Sequence, residues 1–398
     1  MTALVGILSL LSAFSSPTDD AAYAQQFEEA KAAVVRSAVT AVSPSIVTIE
    51  TVGGAQPMRA GPRGPVTESF RVADGPSTGV ILSDDGLILT SSFNFARDPS
   101  IITVRLADGR RLVATLLARD QIRRLALVRV EAAGLHPVNW APREEIEVGQ
   151  YAIACGHGLG ATQPFASLGI VSALGRRNRL AIQTDAKTSP INYGGPLVDI
   201  DGRVLGLIVP MAGSGGGALA GVDWYDSGIG FAIPFDRVDE VLDRLRRGVD
   251  IEPGKIGVVL GPQEASPLDD LLEDILPKTA GARIVAIGDP SPAMSAGLEP
   301  DDIIVALDGR PISDLQALQR RLSDRAAGEE VTLTVKRRWR KFDRTVTLAK
   351  IADIGEFKNP AEEPPPQDQE EAQPAEEEGD GEGENDAEPS PTRQPDPN

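Results

Sequence analysis

The sequence predicts a mainly β protein: a large region of short strands, then a smaller mixed α/β module, then an acidic tail. Three observations carry this. Residues 46–234 hold about a dozen short apolar runs with almost no helical periodicity, which points to β-barrels or a sandwich. The pairs Asp85-Gly86, Asp108-Gly109 and Asp201-Gly202 sit between such runs, where glycine accepts the positive φ that tight hairpin turns require. The charge is also uneven. Of the formal net charge of −19 over 398 residues, residues 359–398 carry −13, from 14 Asp+Glu and one Arg, leaving −6 for the rest.

Residues 3–14 (ALVGILSLLSAF) form an apolar run too short to span a bilayer as a helix. With Ala22-Tyr23-Ala24 ahead of Gln25 they resemble a secretory signal peptide of residues 1–24, although Met1-Thr2 supplies no basic n-region. Phe27, Ala30, Val34, Val35, Ala38 and Val42 recur at helical spacing over 25–43, and Pro44 stops that helix. Strands are expected near 46–51, 78–83, 87–91, 101–106, 111–117, 125–131, 150–155, 167–173, 180–184, 196–200, 203–209 and 229–233. Residues 235–247 then form an amphipathic helix with Val238, Val241, Leu242 and Leu245 on one face and Gly248 after it. In 254–351, strands fit 254–260, 283–287, 302–307, 331–336 and 342–348, and helices fit 292–296 and 314–323. The tail beyond 351 has too few apolar side chains to offset the entropy of ordering and is expected to be disordered.

Composition removes several function classes. One Cys excludes an internal disulfide and thiolate-rich metal or iron–sulfur sites, and two His exclude any site needing several. No cofactor or metal motif is present, and the acidic balance argues against nucleic acid as a partner.

The region up to 248 resembles the chymotrypsin-like double β-barrel of HtrA (DegP-type) serine proteases. The resemblance rests on Thr78-Gly79-Val80-Ile81 with Asp85-Gly86-Leu87-Ile88-Leu89-Thr90, on Gly169-Ile170-Val171-Ser172-Ala173, and on Gln183-Thr184-Asp185-Ala186. Gly194-Gly195-Pro196-Leu197 and Gly228-Ile229-Gly230-Phe231-Ala232-Ile233-Pro234 complete it. The family's chemistry needs a Ser nucleophile, a His base and an Asp that orients the His. The family's T-N-N-H-V-V turn aligns with Thr90-Ser91-Ser92-Phe93-Asn94-Phe95, so Phe93 stands at the His position. Its T-D-L-A-V-L aligns with Arg123-Arg124-Leu125-Ala126-Leu127-Val128, so Arg124 stands at the Asp position. Its N-P-G-N-S-G-G-P-L puts Tyr193 at the nucleophile and Ile191 where a Gly helps form the oxyanion hole. None of the three side chains supports acyl transfer, so no catalytic residue is expected. Phe93 and Tyr193 are expected to pack together and fill the cleft. His136 reads as a solvated loop residue. His157, near Cys155 in a glycine-rich loop, is the one His near the family's cleft, but residues two apart on a loop make a poor nucleophile–base pair.

Residues 254–351 resemble a PDZ domain, an α+β fold with a partly open barrel. The resemblance rests on Ser291-Pro292-Ala293-Met294-Ser295-Ala296-Gly297-Leu298 and on Asp301-Asp302-Ile303-Ile304-Val305-Ala306-Leu307-Asp308-Gly309, with Asp301 where the pattern has Gly. Such domains capture peptide C-termini by strand addition. The matching positions are Lys255, Ile256, Gly257 and Val258, with the helix carrying Leu315, Leu318 and Leu322 as the opposite wall; for two of these three leucines a core position is the stronger expectation. The basic run Lys336–Lys341 reads as a solvated hairpin tip.

Together these features lead us to expect an exported, periplasmic or envelope pseudoprotease that binds peptides or protein C-termini as a scaffold, regulator or chaperone-like factor. The alternative is an active serine-type endopeptidase with atypical catalytic residues. Unfolded proteins or an active HtrA paralogue are the further partners the resemblance implies, and a homotrimer is the assembly it implies.

Overall fold

A computed structural model of the chain describes residues 17–53, 60–61, 64–65, 76–96, 98–158, 161, 163–210, 228–261 and 280–358. The apolar run at 3–14, the acidic segment 359–398 and most of the helical insertion expected between 261 and 281 lie outside the described residues.

Helix α1 (Pro17–Val42) is followed by two closed barrels. The first contains β1 (Ile46–Val52), β4 (Ser77–Ile81), β5 (Leu87–Ser91), β6 (Ile101–Arg105), β7 (Arg111–Asp120) and β8 (Leu125–Val130), in the order β1-β4-β5-β8-β7-β6. A two-stranded hairpin, β2 (Ala60–Gly61) and β3 (Gly64–Pro65), lies between β1 and β4 in sequence. The second barrel contains β9 (Tyr151–Gly156), β10 (Phe165–Gly175), β11 (Ala181–Thr184), β12 (Pro196–Val198), β13 (Val204–Ile208) and β14 (Gly230–Ile233), in the order β10-β11-β14-β13-β12-β9. Each barrel is antiparallel, and the three Asp-Gly turns place Gly86, Gly109 and Gly202 at φ of 105°, 89° and 79°. Every strand expected between 46 and 234 is present. Helix α2 (Arg176–Arg179) was not expected: it is polar throughout and offers no apolar period to read.

Closing each sheet removes its edges and gives it an inside. Val47, Ile49, Ile88, Phe95, Val104 and Val128 fill the first barrel, and Ile182, Leu197, Leu205 and Ile208 fill the second. A third cluster seals the barrels against each other and under helix α3 (Phe235–Arg246), through Leu89, Leu125, Leu127, Ile153, Val238, Leu242 and Leu245. Arg123 ties the β7–β8 turn to α3, pairing with buried Asp120 at 3.0 Å and with Glu240 at 2.9 Å.

The last module is a sheet in the order β15-β16-β17-β19-β20, with β18 (Arg310–Pro311) on β17 and β21 (Glu356–Lys358) on β16. Its strands are β15 (Val258–Gly261), β16 (Ala282–Asp289), β17 (Ile303–Leu307), β19 (Glu330–Arg337) and β20 (Arg340–Thr347). Helices α4 (Pro292–Ser295) and α5 (Leu315–Leu322) complete it, each capped by a side chain, Ser291 for α4 and Asp314 for α5. Asp301, where the pattern has Gly, adopts φ 71°, a region that aspartate tolerates better than most residues. Next to it Asp302, fully buried, receives Arg337 in a fork of 2.7 and 2.8 Å. Trp339 at the β19–β20 tip is 96% exposed, as expected of a solvated hairpin.

Candidate functional site

Phe93 sits on the short turn Ser92–Phe95 that leaves β5, with the Ser91 hydroxyl accepting from its N–H. The carbonyl of Arg124 accepts from Ser92 N at 2.9 Å and from Ser91 Oγ at 3.3 Å, which places residue 124 directly beside that turn. Tyr193 arrives from the other barrel on the segment between β11 and β12. Its ring meets that of Phe93 edge to face, with centroids 5.4 Å apart and planes at 84°. Tyr193 is buried and Phe93 half-buried, so the two rings occupy the junction between the barrels, as the bulk of these residues implied.

The approach of the two loops is close. Gly194, at φ 87°, packs so tightly on barrel one that a Cβ there would lie 2.2 Å from Thr90 Oγ1 and 2.3 Å from the Thr78 carbonyl. Only glycine fits this contact, which explains the Gly194-Gly195-Pro196 run independently of any chemistry.

The backbone of the nucleophile loop is committed internally. Residues Pro190–Asn192 form a 3₁₀ turn, with a reciprocal cap between Ser189 and Asn192. The N–H groups of Asn192 and Tyr193 both donate to the Ser189 carbonyl, at 3.0 and 3.2 Å. An oxyanion hole needs the N–H of the nucleophile position aimed at the developing charge. Here that N–H is directed back into its own turn. The Ile191 side chain lies against Gly158, where a Cβ would come within 2.9 Å of Ile191 Cγ1.

Neither histidine joins this centre. His136 is exposed. His157 is buried, with Nδ1 2.7 Å from Thr48 Oγ1 and 3.4 Å from Arg105 Nη2, while its N–H donates to Thr78 Oγ1. Arg105 also donates to Thr48 Oγ1, which turns the threonine hydrogen toward Nδ1 and leaves that nitrogen an acceptor. His157 thus bolts the β9 loop to strands β1, β4 and β6. Cys155 points instead into the core between barrels, and burial pushes its thiol up to about 12, so it is neither a thiolate nor a partner of His157.

In the last module β15 is an edge strand among the described residues, facing the side on which a peptide strand would add. The carbonyls of Ile256 and Gly257 accept from Ala293 and Gly288, fixing the loop ahead of β15, and Lys255 exchanges both backbone bonds with Ala349. Val258 and Leu315 are half-buried and Lys255 is exposed. Ile256, Gly257 and Leu318 are buried, Ile256 and Leu318 at 3% and 0% exposure within the module's core cluster, so Lys255, Val258 and Leu315 are the expected groove positions that keep exposed surface. On α5, Leu318 is buried while Leu315 and Leu322 on either side of it are half-buried, as an i, i+3, i+7 stripe must be when the core meets its centre.

Two closed six-stranded barrels meeting at this centre, followed by a module with an edge strand beside a helix, define a trypsin-like protease domain joined to a PDZ domain. Family models agree: residues 77–207 match a trypsin-like peptidase domain and residues 281–337 a PDZ domain. A relative from Hahella chejuensis named "Probable periplasmic serine endoprotease DegP-like" is 32% identical over 357 residues, covering 83% of this chain and 73% of the relative. One of the same name from Chlamydia muridarum is 34% identical over 283 residues, and there the match spans 69% of this chain but only 54% of the relative. Among solved structures, the HtrA-type protease AlgW with a decapeptide shares 26% identity at a TM-score of 0.57, covering 79% of this chain and 98% of that one. The chain belongs to the HtrA/DegP family of trypsin-like, PDZ-containing serine endoproteases.

Proposed function

We propose that this chain is a non-catalytic member of its family, exported to the periplasm, that binds peptides or protein C-termini through its PDZ module. The observation that carries the reading is the Phe93–Tyr193 ring pair, which occupies the place where the chemistry needs an imidazole and a hydroxyl. The internal bond of the Tyr193 N–H supports it, since restoring side chains alone leaves no aimed oxyanion donor. Export agrees with the relatives' periplasmic names. The expected role is that of a scaffold, a regulator of an active paralogue or a holder of unfolded chains. The assembly expected from the family is a trimer.

The test is casein and fluorogenic-peptide cleavage by the purified protein, with a serine-reactive fluorophosphonate probe alongside. We expect neither turnover nor labelling; sustained turnover that copurifies with the chain would overturn the reading. For the PDZ role, a labelled peptide with a free C-terminal carboxylate should bind, and its amidated form should bind at least tenfold more weakly. Leu315→Glu should weaken the free-carboxylate peptide, while equal affinity for both peptides would remove the C-terminal mode.

A further inference from the structure

The turn that joins β19 to β20 is built against its own local stability. The strands pair Lys336 with Lys341 and Arg337 with Arg340, so like charges stand directly opposite each other on the two rungs nearest the turn, an arrangement that weakens a ladder. The turn itself is Arg338-Trp339. A two-residue hairpin turn with positive φ at its first position normally takes Gly or Asn there, yet Arg338 adopts φ 53°. Trp339 then holds its indole in water, 96% exposed, and no other large apolar side chain among the described residues is as exposed. A sequence keeps local conflicts of this kind where a function uses them.

The base beneath the turn is fixed. Arg337 forks onto Asp302, pairs with Glu299 and donates to the Gly297 carbonyl at 2.8 Å. The Phe342 ring lies between cations, with the Arg337 and Arg344 guanidinium carbons 5.2 and 4.4 Å from its centroid. β17 pairs no further along β19 than Lys336, so the turn stands past the end of its neighbouring strand. Arg338, Arg340 and Lys341 are exposed and form no ion pair among the described residues. Strand alternation puts Lys336 and Lys341 on one face of the hairpin and Arg340 on the other. The cations therefore surround the indole instead of lining one side of it.

We propose that this tip docks on an anionic phospholipid bilayer, with Trp339 entering the interfacial layer and Arg338, Arg340 and Lys341 meeting the headgroups. Charge complementarity selects the anionic surface. An indole settles at the boundary of water and hydrocarbon, where its ring is buried and its N–H keeps a polar partner. A bilayer is favoured over an acidic protein segment by the shape of the tip. A peptide laid along one face of a two-residue turn leaves the other face and the indole wet, whereas a bilayer yields around the turn and covers every side. This docking goes beyond the pseudoprotease reading and does not depend on whether the chain cleaves peptides.

The test is co-sedimentation of the full chain with vesicles of phosphatidylglycerol or of phosphatidylcholine, paired with quenching of tryptophan emission by brominated phosphatidylglycerol. We expect partition into phosphatidylglycerol to be about tenfold stronger or more, and to fall as salt is raised. Trp339→Ser should remove the quenching by brominated lipid and weaken partition about fivefold, and Arg340→Ser and Lys341→Ser should each weaken it about fivefold. All three positions are exposed, so the variants should melt with the parent, which a thermal scan checks. Equal partition into the two lipids overturns the proposal, as does quenching or partition unchanged in Trp339→Ser. Soluble polyglutamate is the remaining arm: if it alters the Trp339 emission while vesicles do not, the tip takes an acidic protein segment and the bilayer assignment fails.

Discussion

Tyr193 donates its N–H to Ser189, so the peptide group that would face a developing oxyanion is engaged before any substrate arrives. Reverting the side chains alone therefore should not suffice. The variant Phe93→His, Arg124→Asp, Tyr193→Ser is expected to show peptide turnover near background, and adding Ile191→Gly to raise kcat/KM by about 10²–10³, the usual effect of one oxyanion donor. Equal rates for the two variants would show that the loop backbone is not limiting. Phe93, Arg124 and Tyr193 could be proposed from the sequence as the triad positions because their flanking residues resemble the family pattern. The direction of one N–H could not be, since it depends on how Pro190–Asn192 coils. Cys155 gives a second expectation. An unfolded thiol titrates near about 8.5, whereas burial holds this one at about 12. Its contribution to stability is thus complete at neutral pH and is lost as pH climbs from about 9 toward 12, at about 1.4 kcal/mol per pH unit. Urea melts at pH 8 and pH 10, compared between the parent and Cys155→Ala, should show a steeper loss in the parent. Ellman's reagent at pH 8 should react only after denaturation.

Among the elements, the junction of the barrels rests on one loop contact. At Gly194 a methyl group would meet Thr90 and the Thr78 carbonyl in a backbone conformation that alanine already disfavours. Gly194→Ala is expected to destabilise the chain by more than about 2 kcal/mol, the sum of overpacking and φ strain, as read by urea denaturation. A loss under about 0.5 kcal/mol would mean that the loop can withdraw. The strands themselves could be read from alternation and Asp-Gly turns because each barrel strand has an inner and an outer face. β21 escaped that reading. It has three residues, lies beyond the boundary expected at 351, and owes its strand form to pairing with Ile287–Asp289 rather than to any pattern of its own.

The barrels and the PDZ module are joined through residues 249–253, a stretch to which the sequence analysis assigns no element. Ile251, three residues past the turn that closes α3, is 1% exposed and lies in the core shared by the barrels. Its N–H donates to the Arg119 carbonyl at 2.8 Å and its carbonyl accepts from Gln121 at 2.9 Å, so it pairs beside the end of β7. Pro253 then bridges to Ala326 of the PDZ module, and Ala326 is itself part of the barrel core. Val249 and Ile251 are the only aliphatic side chains in the polar stretch RRGVDIEPGK, too few to carry a period, which is why pattern reading passes over Ile251. The physical consequence is that the PDZ module and the barrel domain share a packed residue, so loosening one should be felt by the other. Ile251→Ala removes three carbons from that seam and is expected to cost about 2–4 kcal/mol. Calorimetry of the full chain should then show a single cooperative transition dividing into two, the PDZ module melting apart from the barrels. A single transition shifted downward without dividing would show that the Ala326 contact alone keeps the two coupled.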